Sequence, residues 1–135
     1  GLPWLLHCYD PCHGAKVQMR FVMPLPPNRA NARWHWRTEK RLKDEYYLAC
    51  DLICRKQLRS AENWERATIS AKLYVWAESD WDNLVGRLKW PVDWLVLSGF
   101  IRSDSPKVLE WQMPTQEIDR KNQRVEILLN RMEKI

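Results

Sequence analysis

The stretch Ala67-Thr68-Ile69-Ser70-Ala71-Lys72-Leu73-Tyr74-Val75-Trp76-Ala77 alternates with period two. Ile69, Ala71, Leu73, Val75 and Ala77 fall on one face, and Ser70, Lys72, Tyr74 and Trp76 on the other. Such alternation predicts a strand with one side in a core. Residues 15 to 23 carry the same pattern, with Val17, Met19, Phe21 and Met23 opposed to Lys16, Gln18 and Arg20. That strand should stop at Pro24, because Leu25-Pro26-Pro27-Asn28 can neither extend a ladder nor start a helix. An exposed, stiffened loop over 24–37 is therefore expected. Between the two strands, Thr38 is a plausible N-cap with Glu39 in the first turn, and Leu42, Tyr46, Ala49 and Ile53 recur at helical spacing. A helix over about 39–58 follows.

Beyond the central strand, Leu84, Leu88, Val92, Leu95 and Val96 suggest a second helix, with Gly99 suited to a left-handed C-terminal position. Pro91 implies either a kink or two short helices, the second opened by the proline. Two late strands, near 107–113 and 123–129, complete a strand-helix-strand-helix-strand-strand order. The reading is an α/β (α+β) fold: a single small domain around a mixed sheet, without repeats or low-complexity tracts. Its 135 residues suit one compact unit. The amino terminus lacks the basic start and apolar h-region of a signal peptide, so an intracellular protein is expected.

A hydrophobic content of 45% with 29% charged residues and a mean hydropathy of −0.57 excludes a disordered chain, and no apolar run is long enough to span a bilayer. The net charge of +5 favours a polyanionic partner.

Asp80-Trp81-Asp82-Asn83 lies where the best strand runs out and the second helix begins. Two carboxylates at that spacing on a strand share a side and can converge on a cation. Mg²⁺ suits such a site, since it takes hard oxygen ligands and needs only one or two carboxylates plus a phosphate. Asp93 and Asp104 are nearby acids that could complete the cluster. The plainer alternative is that Asp80 or Asp82 only caps a helix.

A second group runs from Asn28 through Arg29, Asn31, Arg33, Trp34, His35, Trp36 and Arg37 into Lys40, Arg41 and Lys43. From 28 to 43 there are six Lys or Arg against the acid Glu39. Cations interleaved with aromatics suit nucleic acid that is branched, opened or single-stranded. The alternative is a solvated basic loop whose Trp34 and Trp36 pack into the domain or across a dimer. Of the nine Trp, Trp64, Trp90, Trp94 and Trp111 accompany apolar positions and are expected in a core or interface, whereas Trp76 and Trp81 adjoin the acidic site and could shape it.

The cysteines form two pairs at equal spacing, Cys8 with Cys12 and Cys50 with Cys54. A four-thiolate zinc site would need both pairs to converge at a looser spacing than zinc ribbons use. Cys50 and Cys54, one turn apart on a helix, fit better as small core hydrophobes, so reduced thiols without zinc are expected.

These residues in order resemble the RusA family of Holliday-junction resolvases of bacteria and their phages. The resemblance covers roughly residues 16–130, which makes 16–135 the endonuclease-like domain and 1–15 an extension outside it. Asp80-Trp81-Asp82-Asn83-Leu84, Asp93-Trp94-Leu95, Gly99-Phe100 and Asp104 resemble the family's Asp-x-Asp-Asn-Leu, Asp-x-Leu, Gly-Phe and Asp landmarks. Leu25-Pro26-Pro27-Asn28 matches its turn after the first strand. The resemblance implies a cytoplasmic homodimeric endonuclease, in a bacterial cell or phage-infected host, that nicks four-way DNA junctions symmetrically in recombination and repair. It implies Mg²⁺, with Mn²⁺ as a substitute, held by Asp80, Asp82 and Asp104, with Asp93 a secondary acid. Where the family carries a Lys this chain has Gly86, so Arg87 or Lys89 would supply the catalytic cation. The span from Asp82 to Asp93 is also longer than usual for the family. The competing readings are a non-catalytic nucleic-acid-binding protein on the same scaffold and a zinc-stabilised interaction module.

Overall fold

The computed structural model describes residues 17–28 and 35–132. Five strands, β1 (Gln18–Pro24), β2 (Ala67–Val75), β3 (Leu109–Trp111), β4 (Thr115–Ile118) and β5 (Arg124–Arg131), form one mixed sheet. The helices are α1 (Trp36–Ile53), α2 (Arg55–Leu58), α3 (Trp81–Arg87) and α4 (Lys89–Leu97). The expected small α+β domain with a mixed sheet is what the described residues form. The extension over 1–15, with Cys8 and Cys12, lies outside them.

β5 is the antiparallel partner of both β1 and β2, with Phe21 opposite Ile127 and Ala71 opposite Ile127 on its other side. On the far edge of β2, β3 pairs in parallel with Ala67–Ile69 and β4 with Lys72–Val75. β3 and β4 thus act as one interrupted edge strand. Only one strand was expected here, over 107–113; the pairing stops at Trp111 and resumes at Thr115 with its register shifted by one residue, and Pro114, lacking an N–H, stands in the gap. The alternation read from sequence is realised: Met19, Phe21, Met23, Ile69, Ala71, Leu73 and Val75 are buried, joined by Val125, Ile127 and Leu129 of β5. Ala77 lies past the end of β2 and is exposed.

α1 begins at Trp36, earlier than expected, and its N-cap is His35 rather than Thr38: His35 Nδ1 accepts from the Arg37 N–H at 3.2 Å. The helix breaks at Cys54 before the single turn of α2, so the continuous helix over 39–58 is two pieces. The buried stripe keeps Tyr46 and the two cysteines expected in the core but loses Ile53. Ile53 is 56% exposed, while Tyr46, Cys50 and Cys54, spaced by four, face the sheet. Tyr46 Oη donates to the Pro24 carbonyl at 2.8 Å and Cys54 Sγ approaches the Val22 carbonyl at 3.7 Å, which seats α1 and its end on β1.

The second helical segment is two short helices, but the break falls at Leu88, not at Pro91. Pro91 sits in the first turn of α4, where a missing N–H costs nothing because that turn has no intrahelical acceptor to fill. α4 ends as expected: Gly99 takes φ of 81°, its N–H reaches the Val96 carbonyl at 3.1 Å, and the Phe100 N–H reaches Leu95 at 3.0 Å. Phe21, Trp94 and Phe100 pack edge to face or tilted, with centroids 4.8 to 6.3 Å apart, and join β1 to α4. Trp94 Nε1 donates to Asp51 Oδ1 at 2.8 Å and so ties α4 to α1. Trp64, Trp90 and Trp94 are core residues as expected, whereas Trp111 is exposed. No helix among the described residues is long and apolar enough to cross a membrane.

Burial pushes the Cys50 thiol up to about 12 and the Cys54 thiol up to about 11. Thiols freed by unfolding ionise near pH 9. Their contribution to stability is therefore complete below that value and falls away as pH rises toward 11 to 12. In a Cys8→Ser/Cys12→Ser background, urea midpoints should drop between pH 8 and 10, and less so when Cys50 and Cys54 are also replaced by Ala. Ellman's reagent should titrate Cys50 and Cys54 only after denaturation.

Candidate active-site cleft

β2 ends at Val75, and the connector from Trp76 to Ser79 delivers the chain to Asp80, the N-cap of α3. Asp80 caps with its backbone only: its carbonyl accepts from the Leu84 N–H at 3.1 Å, and its side chain makes no capping bond. The carboxylate is thus not consumed by the helix, the role that the plainer alternative gave it. The connector is held from below by the β4 edge. The Gln116 side chain grips Ser79 at both ends, accepting from its N–H at 2.9 Å and donating to its carbonyl at 2.9 Å. Arg120 Nε donates to the Trp76 carbonyl at 3.3 Å, and the Asp119 N–H to the Val75 carbonyl at 2.9 Å. Sequence reading missed Gln116 because the strand that carries it was not anticipated.

A cleft of about 650 Å³ opens between this connector and the turn after β1. Its walls include Pro26, Pro27 and Asn28 on one side, Trp76, Glu78 and Asp80 on the other, Asn83 and Arg87 from α3, and Gln123. Asp80, Asn83 and Arg87 fall at helical spacings of three and four, so they share one face of α3. Burial lowers the pKa of Arg87, and its Nε has no hydrogen-bond partner. Arginine nonetheless keeps its charge in proteins. The cleft therefore combines two carboxylates, Glu78 and Asp80, three amides, Asn28, Asn83 and Gln123, and a half-buried guanidinium whose donors are not all used.

The sequence-predicted site residues separate into groups. Asn28, Asp80 and Arg87 meet in the cleft. Asp82 is exposed in the first turn of α3 and is not part of the cleft lining. The strand spacing that would have aligned it with Asp80 does not apply, because β2 has already ended and two residues of helix turn the chain through a little over half a revolution. Asp93 and Asp104 line a different groove of about 260 Å³ with Tyr47, Val96 and Leu97. Lys89 Nζ lies 3.8 Å from the Asp93 carboxylate, its partner one turn along α4. Gly86 is exposed, with open space where a Cβ would stand. Among the described residues no three His, Cys, Asp or Glu side chains converge enough to hold a metal ion. The cleft's own donors, carboxylate and amide oxygens, are hard ligands of the type Mg²⁺ takes while keeping several waters.

Of the basic group, Arg29, Asn31, Arg33 and Trp34 lie outside the described residues. Trp36 is 63% exposed at the start of α1, with the Arg37 guanidinium 5.2 Å and the His35 ring 5.6 Å from its ring centre. Trp36, Arg37, Lys40 and Arg41 border a shallow groove with Asp44, Glu45 and Leu48. Lys40 pairs with Asp44 at 2.7 Å and Arg41 with Glu45 at 4.0 Å, so part of the positive charge is offset on the helix itself. Lys43 is half-buried.

No protein-family model matches the chain, and no curated protein matches it.

The Gln116 grip yields a mutational expectation. Gln116→Ala removes two hydrogen bonds to the connector and should cost about 1–3 kcal/mol of stability, read from urea unfolding. Gln116→Glu keeps only the acceptor and should fall between the two.

Proposed function

We propose that the protein is a Mg²⁺-dependent endonuclease of the RusA type that acts on branched DNA, above all four-way junctions, as a cytoplasmic homodimer. The observation that carries this reading is the cleft itself. It joins the Pro26-Pro27-Asn28 turn to Asp80 and Asn83, two landmarks of the resemblance that are remote in sequence and share no strand or helix. Asp80 and Asn83 would hold the cation. Bound Mg²⁺ supplies an activated water and stabilises charge on the scissile phosphate. Arg87, rather than Lys89, supplies the protein cation, because it lines the cleft while Lys89 pairs with Asp93. Its planar fork suits two phosphate oxygens at once. Two symmetric nicks need two such sites, which a two-fold dimer provides at fixed separation.

A second reading, nucleic-acid binding without cleavage, is favoured by the separate groove of Asp93 and Asp104 and by Gly86 in place of the family Lys. A synthetic four-way junction incubated with and without Mg²⁺ discriminates the two: the enzyme nicks it only with the metal, and the binding protein only retains it. Within the enzymatic reading, Asp80→Asn should fold, bind the junction at least as tightly as wild type, and cleave at least about a hundredfold more slowly. Asp82→Asn should lose less, since Asp82 stands outside the cleft lining. Cleavage by Asp80→Asn within about tenfold of wild type, ~1.4 kcal/mol of barrier, would remove Asp80 from the metal site.

Under either reading the basic segment neutralises phosphates. Arg33→Glu/Arg37→Glu should weaken junction binding broadly and flatten its dependence on salt. Unchanged affinity, measured by anisotropy over a salt series, would move the DNA face elsewhere.

A further inference from the structure

We propose that Trp76 is a stacking platform at the mouth of the cleft, so that the DNA strand entering it presents an unpaired base beside the bound phosphate. This rests on the nucleic-acid reading above and adds the feature of DNA structure that the site selects.

Trp76 follows directly on β2 and is 61% exposed, although the domain buries Trp64, Trp90 and Trp94 almost completely. A large ring left in water at the end of the central strand forgoes the stabilisation that burial would give it. It is also held in place. Its carbonyl accepts from Arg120 Nε at 3.3 Å, and the Arg120 guanidinium lies 5.4 Å from the ring centre. Arg120 in turn sits on a braced turn. The Asp119 carboxylate accepts from the N–H groups of Lys121 and Asn122 at 3.1 and 3.2 Å and from Arg124 at 3.0 Å. The hydrogen bond from Arg124, ahead of those from the backbone, holds that carboxylate below its ordinary pKa.

The ring lines the same cleft as Asn28, Asp80 and Arg87. The cleft therefore offers an exposed aromatic ring, with the Arg120 guanidinium beside it, and a deeper guanidinium, that of Arg87, with an unpartnered Nε. A nucleotide within a strand has the matching parts: a flat base for the ring and, on its 5′ and 3′ sides, two phosphates for the two cations. A base stacked inside duplex DNA has neither face free, so the platform selects a base already unpaired or opened at a branch. The facing wall of Leu25, Pro26 and Pro27 is apolar, so what favours a nucleotide over a peptide is the pair of guanidinium groups, Arg87 in the cleft and Arg120 against the ring.

The test uses the full chain with a twelve-nucleotide single strand of deoxythymidine, a duplex of similar length, and a four-way junction carrying 5-iododeoxyuridine at the crossover. Trp76→Ala should weaken binding to the single strand and the junction about tenfold, leave duplex binding within about twofold, and keep the thermal transition of wild type. Trp76→Phe should stay within about threefold, since a smaller ring still stacks. Irradiation should join the iodinated base to Trp76, identified by peptide mapping. Single-strand affinity of Trp76→Ala within about twofold of wild type, or cross-links that map elsewhere, would overturn the platform. So would a change in sedimentation state without a change in DNA affinity, which would mark the ring as a protein contact. Junction cleavage by wild type together with an unaffected Trp76→Ala would refute this inference alone. Absence of any nucleic-acid binding by wild type would instead remove the reading beneath it.

Discussion

The structure depends on β2 having strand partners on both sides. β5 runs antiparallel against Ala67–Tyr74, and the other edge is shared between β3 and β4. Most of its backbone groups are thereby paired within the sheet, which permits Ile69, Leu73 and Val75 to be buried. Register is fixed by the same arrangement, since a slip of one residue would turn that whole apolar row to solvent. The connector to Asp80 starts where this pairing ends, at Val75 opposite Ile118, and the turn after β4 lies beside it. The double pairing of β2 therefore also sets where the acidic residue stands, through Gln116 on Ser79 and Arg120 on Trp76.

The helices are fastened to that sheet by aromatic packing and a few polar anchors. Phe21, Trp94 and Phe100 join β1 to α4, the Trp94 indole fixes Asp51 of α1, and the Tyr46 hydroxyl holds the end of β1. α3 is outside this fastening except through buried Leu84 and the break at Leu88. The break has a chemical consequence: α3 faces the cleft with Asp80, Asn83 and Arg87, while α4 carries Asp93 to a groove shared with Asp104.

The excess of positive charge is distributed unevenly in effect. Arg20, Lys40, Arg41, Lys72, Lys89 and Arg124 each have a carboxylate partner, mostly at the surface, where such pairs add little stability but dilute the local field. Arg87 in the cleft and Arg120 on Trp76 are set differently, one half-buried and one against an aromatic ring.

The alternation at 17–23 and 67–75 was legible in the sequence because side-chain direction in a strand depends on parity alone, a local property. Gly99 was legible for a similar reason, since a positive φ after a helix selects glycine whatever surrounds it. The landmarks of the candidate site, Asp80, Asn83 and the Pro26-Pro27-Asn28 turn, were also visible. Their meeting was not, because it follows from how β1 and β2 are spaced by β5 between them. Cys50 and Cys54 are buried as the sequence suggested, but tertiary contact left Ile53 of the same helix outside the buried face, through the position of β1 beneath it. It also divided the acids between two grooves: once β2 ended at Val75 and the helix broke at Leu88, strand parity no longer governed where Asp82, Asp93 and Asp104 would face.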